Sequence, residues 1–210
     1  MMGTFNSLVF NSGLYMLLLL LCRVCPAAGQ NRHLIDSQPN GFSIYRSGKP
    51  DRQDFQNWCS IGIREVMVLS GDSSYFESRY AGDCPALKVI YNQKQDARIP
   101  LDAGFLKYFD NWVEDARRNG TKILFRCRCG CHRAGRLAAY YQMKYLGYSP
   151  EEAIKDLYKY GKHMQHYGFL VDQINALYDY IHKKPCRYLT SALKQSFCVR
   201  NISPAASENY

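Results

Sequence analysis

The chain has 210 residues, 47% of them hydrophobic, which is enough for one packed domain and too many for a wholly disordered chain. Its 27 basic and 18 acidic residues leave a net charge of +9, which points to anionic partners, yet no basic run is long enough to form a polybasic tail. No segment repeats at a fixed period, which sets aside solenoids.

At the N-terminus, Leu14–Cys22 is a run of nine apolar residues, too short to span a bilayer and suited to the core of a signal peptide. Pro26, Ala27, Ala28 and Gly29 follow and offer a cleavage site near Ala27 to Gly29. Residues 1–29 are therefore read as a signal peptide, with a membrane anchor as the alternative. The expected location is secreted or periplasmic, with no stable membrane span after cleavage. Cleavage would leave seven cysteines: Cys59, Cys84, Cys127, Cys129, Cys131, Cys186 and Cys198. An exported protein is expected to hold disulfides. Cys59 with Cys84, and Cys186 with Cys198, could each close a segment, although spacing alone does not fix the connectivity. The odd count leaves at least one free thiol.

Residues 30–41 are polar and read as a lead-in. Phe42–Arg46 alternates like a short strand, and Ser47–Pro50 is a turn. Asp51–Trp58 is a helix with an acid at its start. Ile63–Leu69 is an apolar strand, Gly71–Asp83 a polar loop and Leu87–Tyr91 another strand. Asp102 caps a helix with Phe105, Leu106, Phe109, Trp112 and Val113 on one stripe, stopped at Asn119-Gly120. Lys122–Phe125 is a short apolar strand. A helix from Ala134 carries Leu137, Ala138, Tyr141 and Tyr145 and ends near Gly147. Ser149-Pro150-Glu151-Glu152 is a capping box. A last helix covers Val171–Ile181 and closes at Lys183-Lys184-Pro185. The alternation predicts an α/β fold: a central, mostly parallel twisted sheet of four to five strands flanked by helices. Residues 42–182 form one domain, and 183–210 a tail that a disulfide could close.

Lys122 to Tyr141, KILFRCRCGCHRAGRLAAYY, carries the chemistry. A strand feeds a loop and then a helix N-terminus, an arrangement that gathers backbone N–H groups and the positive end of a helix dipole around an oxyanion. Gly130 lets the loop curl, and Arg133 offers a planar fork for two phosphate oxygens. Cys127 at the base of such a cup is expected to be a stabilised thiolate and a nucleophile.

The spacing C-x5-R, with Gly130 and Gly135 inside Arg126-Cys127-Arg128-Cys129-Gly130-Cys131-His132-Arg133-Ala134-Gly135, resembles the signature of the cysteine-dependent tyrosine and dual-specificity phosphatases, in the compact dual-specificity-like form. Tyr45-Arg46-Ser47-Gly48-Lys49-Pro50 is similar to the Y-R-S-x-x-P stretch near the start of compact members. Tyr148–Ile154 resembles their helix after the loop. The resemblance implies a phosphatase fold and hydrolysis through a phosphocysteine. It implies Cys127 and Arg133 as catalytic residues and Arg126, Arg128, Cys129, Gly130, Cys131, His132, Ala134 and Gly135 as the substrate-binding loop. It implies no cofactor and no metal, and a phosphorylated substrate, phosphoprotein or inositol phosphate, rather than nucleic acid.

The family also uses an acid upstream of the Cys, because an alkoxide or phenolate leaves poorly without a proton. Asp96-Ala97-Arg98-Ile99-Pro100 is similar to the family's acid loop, 127 − 96 = 31 residues upstream. Asp96 is preferred to Asp102, which reads first as a helix cap. Two departures stand out. Arg126 replaces the usual His before the nucleophile, and Ala134 replaces the Ser or Thr after the arginine. Loss of that hydroxyl predicts slow breakdown of the intermediate, or a binder rather than a catalyst. Arg126, Arg128, His132, Arg133 and Arg136, with Lys94 beside the acid loop, predict a very positive mouth, which favours a substrate with several phosphates. Cys129 and Cys131 read as loop lining or as thiols that could trap an oxidised Cys127, with metal binding a distant alternative. His163 and His166 read as surface residues, Tyr140, Tyr141 and Tyr145 as core or helix surface. Asn119-Gly120-Thr121 and Asn201-Ile202-Ser203 match the glycosylation pattern.

Overall fold

A computed structural model describes residues 31–161, 164–190 and 195–201. The expected signal segment, His163 and most of the Asn201-Ile202-Ser203 sequon lie outside these. A five-stranded sheet has the order β1-β2-β5-β3-β4, with β1 (His33–Ser37), β2 (Ser43–Ser47), β3 (Ile63–Val68), β4 (Lys88–Asn92) and β5 (Lys122–Arg126). Within this sheet only the β1–β2 pair is antiparallel. The helices are α1 (Arg52–Ser60), α2 (Glu77–Tyr80), α3 (Ala103–Asn119), α4 (Arg133–Tyr145), α5 (Pro150–Tyr160) and α6 (Gly168–Ile181). Short strands β6 (Leu189–Thr190) and β7 (Gln195–Ser196) pair near the C-terminus. The expected mostly parallel α/β sheet is the one observed.

Both faces of the sheet are covered, as a parallel sheet requires. Ile44, Met67, Leu69, Ile123 and Phe125 face α3–α6, meeting Phe105, Phe109, Leu137, Leu157 and Ile174. On the opposite face, Val66, Val68 and Leu124 pack on Phe55 and Trp58 of α1. The switch of faces between Leu124 and its neighbours Ile123 and Phe125 is the period of two expected of a strand. Tyr140 and Tyr141 are buried. Their hydroxyls donate to Asp110 (2.9 Å) and Asp36 (2.6 Å), and Tyr145 also reaches Asp110 (2.9 Å).

The caps follow the sequence. Asp51 and Asp54 form a capping box at α1, Ser149 and Glu152 another at α5, and Gly120 ends α3 in the left-handed region. Three stretches differ from expectation. The polar lead-in contains β1, whose Ile35 packs against the core. The polar loop of 71–83 contains α2, with Asp72 and Glu77 buried. Helix α6 starts at Gly168 rather than Val171 because Phe169 and Leu170 join the core. Both candidate disulfides are formed, Cys59–Cys84 and Cys186–Cys198, leaving Cys127, Cys129 and Cys131 as free thiols among the described residues. Among those residues no helix is long and apolar enough to cross a membrane.

Candidate active site

Strand β5 lies between β2 and β3 and ends at Arg126, level with Ser47 and Val68. The Cys127 N–H still donates to Ser47 O (3.3 Å), and Leu69 N–H to Arg126 O (2.9 Å). The chain then leaves the sheet at the carboxyl edge, where open α/β sheets place their ligands. Four carbonyls of the loop to α4 are held by donors from elsewhere. Lys49 N–H reaches Arg128 O (3.0 Å), Asn31 Nδ2 reaches Cys129 O (3.1 Å), and Arg46 Nη2 reaches Gly130 O (2.6 Å) and Cys131 O (3.2 Å). The carbonyl and N–H of a trans peptide point to opposite sides. A loop whose carbonyls are held outward presents its N–H groups to the inside, where that of Cys131 donates to Cys129 Sγ (3.1 Å).

Two glycines are needed here. Gly130 has φ of 69°, and a Cβ there would lie 2.6 Å from Gly48 N and 2.7 Å from Ser47 C. Gly135 lets α4 approach α5, since its Cβ would fall 2.4 Å from Leu157 Cδ1. Arg46, from the Tyr45–Pro50 motif, is the buried strut that ties β2 to this loop.

Cys127 is buried at the base of the cup. Contact with the Cys129 thiol, then burial, holds its thiol well above the ordinary range, while the Ala134 N–H and Arg133 pull it down without prevailing. This corrects the expectation of a stabilised thiolate. The helix N-terminus and Arg133 act as foreseen, but a second thiol sharing the proton outweighs them. Replacing Cys129 with Ala should therefore lower the pKa of Cys127. Site-resolved iodoacetamide labelling against pH would show its midpoint moving down, and an unmoved midpoint would assign the shift to burial alone.

Arg133 Nη1 donates to Leu69 O (3.1 Å) and Gln95 O (3.3 Å), which orients the guanidinium and leaves its Nε–Nη2 edge to meet an anion. Arg133 and His132 line a cavity of about 300 Å³ together with Lys94, Asp96, Arg98 and Tyr167. Asp96 is exposed, and its carboxylate accepts from Arg98 N–H (2.8 Å) at the start of a turn. The structure thus places Asp96 and Arg133 on one cavity. Asp102 instead caps α3, accepting from Phe105 N–H (2.8 Å).

The expected ring of cations around the mouth is corrected at two positions. Arg126 has no exposure. Its Nε bonds Glu77 Oε1 (2.6 Å), its Nη2 bonds Glu77 Oε2, and its Nη1 bonds Asp72 Oδ1 (2.6 Å) and Ser70 Oγ (2.8 Å). It points away from the cup because a buried guanidinium needs anions around it. Burial raises Asp72, but Ser70, Arg126 and Arg128 outweigh it and hold the carboxyl below its usual range. Arg136 is also buried and donates to Ala97 O (3.3 Å), Ile99 O (2.7 Å) and Gln173 Oε1. Arg128 remains exposed, 3.4 Å from Asp72.

Sequence reasoning missed Gln173 and Asn31. Gln173 Nε2 donates to Ala97 O (3.0 Å) and Arg98 O (3.3 Å), so α6 supports the acid loop. A glutamine amid an apolar helical stripe was the available signal. Cys131 is buried and Cys129 exposed, with Cys129 Sγ 3.7 Å from His132 Nδ1. The His132 ring stacks on Tyr167 at 3.7 Å. Among the described residues no group of three or more His, Cys, Asp or Glu is arranged to hold a metal ion.

The sequence matches no protein-family model and no curated protein. Solved structures do match. TpbA of P. aeruginosa is 21% identical with a TM-score of 0.53, covering 66% of this chain and 86% of that one. Tk-PTP in its active form is 18% identical with a TM-score of 0.51, covering 69% and 95%. PTPMT1 in complex with PI(5)P is 13% identical with a TM-score of 0.54, covering 72% and 97%. The chain is similar to these structures in fold.

Proposed function

We propose that this protein is a cysteine-dependent phosphatase that hydrolyses phosphomonoesters through a phosphocysteine, within a domain of residues 42–182. One observation carries the reading. Cys127 lies beneath a loop whose carbonyls at residues 128–131 are held by donors from elsewhere, with Arg133 and Asp96 on the adjoining cavity. Substrate phosphate sits on the N–H groups of residues 128–133, and Arg133 binds two of its oxygens. The Cys127 thiolate forms the S–P bond as the ester P–O bond breaks, and Asp96 gives its proton to the leaving oxygen. Water then attacks the phosphocysteine, Asp96 takes back a proton, and phosphate and thiolate are released. The Ala134 N–H, which bonds the Cys127 sulfur, stabilises the departing thiolate in place of the missing hydroxyl. The raised Cys127 thiol and the missing hydroxyl together favour slow turnover.

The family's acid step supplies the test. Asp96→Asn should cut kcat on phenyl phosphate by about 10²-fold or more and matter much less for p-nitrophenyl phosphate, whose leaving group needs little help. An equal loss on both, or the same pattern from Asp102→Asn instead, would remove Asp96 from this role.

A second substrate class is favoured by Lys94 and Arg98 on the same cavity as Arg133, which suit a substrate with more than one phosphate. The fold is seen elsewhere with pTyr in a TpbA variant and with PI(5)P in PTPMT1. Phosphate release from a phosphotyrosine peptide and from inositol hexakisphosphate, side by side, decides between them. Export, with removal of residues 1–29, fits the two disulfides, which persist in oxidising compartments. N-terminal sequencing of the mature chain tests it.

A further inference from the structure

The acid loop is gripped along five consecutive carbonyls. Arg136 and Gln173 hold those of Ala97, Arg98 and Ile99 from the helical side. The next two are held by one residue from the far end of the chain. Arg200 Nε donates to Pro100 O (3.0 Å), and Arg200 N–H donates to Leu101 O (3.0 Å). Ala103 N–H returns a bond to Arg200 O (2.9 Å), so Arg200 and Asp102 form a parallel bridge at the foot of α3. Arg200 Nη2 also lies 3.9 Å from the Asp102 carboxylate.

This contact is anchored from behind. Cys198, two residues before Arg200, is bonded to Cys186 just beyond α6. Phe197 is buried, and Val199 packs on the main core. A chain end so tied has little freedom left to lose when it docks, which lowers the entropy cost of the bridge. Arg200 and the loop share the lining of a cavity of about 250 Å³, together with Tyr91, Lys94, Asp96 and Arg136. Without the bridge, the stretch from Asp96 to Leu101 would border open space on that side.

We propose that residues 197–200, tied down by the Cys186–Cys198 bond, form a latch on the acid loop, and that Arg200 is a positioning residue that sets where Asp96 stands. The proposal rests on the phosphatase reading above, because it assigns Arg200 an effect on proton donation alone. Arg200→Ala should lower kcat on phenyl phosphate about tenfold, the scale of a small misplacement of a reacting group. It should leave the rate on p-nitrophenyl phosphate within threefold of wild type and add nothing in an Asp96→Asn background. Arg200→Lys, which keeps a donor for Pro100 O, should recover part of the loss. The Cys186→Ser/Cys198→Ser double variant should shift the same ratio in the same direction. Hydrogen exchange of the amides of residues 96–103 gives a readout independent of activity and should accelerate in both Arg200→Ala and the double variant.

Equal losses on the two substrates, or an effect that multiplies with that of Asp96→Asn, would overturn the proposal. So would unchanged exchange across 96–103. If the wild-type protein releases no phosphate, the phosphatase reading fails. The exchange experiment then still decides whether the latch exists.

Discussion

Replacing Cys127 with Ser should abolish phosphate release, by about three orders of magnitude or more, while leaving anion binding in place. The sulfur is the only nucleophile assigned to the base of the cup, and a hydroxyl there has no neighbouring base to activate it. The phosphate site is built from backbone N–H groups and Arg133, none of which this substitution touches. Equilibrium binding of vanadate or inorganic phosphate to Cys127→Ser should therefore match wild type within a few-fold. Because the wild-type thiol is held high, kcat/KM should keep rising with pH into the alkaline range as the Cys127 proton is lost, and the rise should follow the alkylation profile of Cys127. A Cys127→Ser variant within tenfold of the wild-type rate would defeat the mechanism. Loss of both rate and binding would instead mean that the sulfur shapes the loop. Arg133→Lys separates the two functions from the other side. A point charge keeps the sign but not the fork, so binding and rate should both fall.

Much of this site was legible in the sequence because its parts are local. Cys127, Gly130, Arg133 and Gly135 lie within nine positions, and the requirement for glycine at φ of 69° is written at residue 130 itself. The caps at Asp102 and Ser149 are equally local, each read from a side chain and an amide three residues on. What was not legible depends on distant partners. Arg126 looked like a cation at the mouth because nothing near it in the chain says that Glu77, 49 positions earlier, turns inward to meet it. For the same reason 71–83 reads as a polar loop, when two of its acids, Asp72 and Glu77, are buried against that guanidinium. Gln173 and Arg200 reach the acid loop across 76 and 100 positions. Strand β1 was missed because it is an edge strand with one face on the core, so its alternation is weak.

The Arg126 cluster yields the largest expected effect on stability. Arg126→Met should destabilise the fold by about 3–5 kcal/mol at neutral pH, the usual cost of leaving buried charge without its counter-ion. Shape is nearly conserved, so packing contributes little. The cost comes from Asp72 and Glu77, whose side chains are 7% and 1% exposed and would face each other with only the exposed Arg128, 3.4 Å from Asp72, as a cation nearby. The pH dependence follows from the sign of each shift. In the wild type Asp72 is held below its ordinary range, so its contribution is present above the unfolded carboxyl pKa and is lost as pH falls through the folded value. Burial holds Glu77 above its ordinary range despite Arg126, so its charged form costs the wild type stability near neutral pH and that cost is relieved as pH falls, which offsets part of the Asp72 loss. In the variant Glu77 loses its counter-ion and Asp72 keeps only Ser70 and the exposed Arg128, so both carboxyls bind protons more tightly than in the wild type, and the variant gains stability relative to it as pH falls. The gap between the two proteins should therefore be widest near pH 7 and narrow toward about pH 4–5. Urea unfolding of both proteins across that range measures it. A gap that stays constant with pH would mean that lost packing, not stranded charge, is responsible. Adding Asp72→Asn and Glu77→Gln to Arg126→Met supplies the complementary arm. Neutralising the acids should recover most of the neutral-pH loss, because it removes the same charge that protonation removes, and a triple variant no better than Arg126→Met would rule the electrostatic account out.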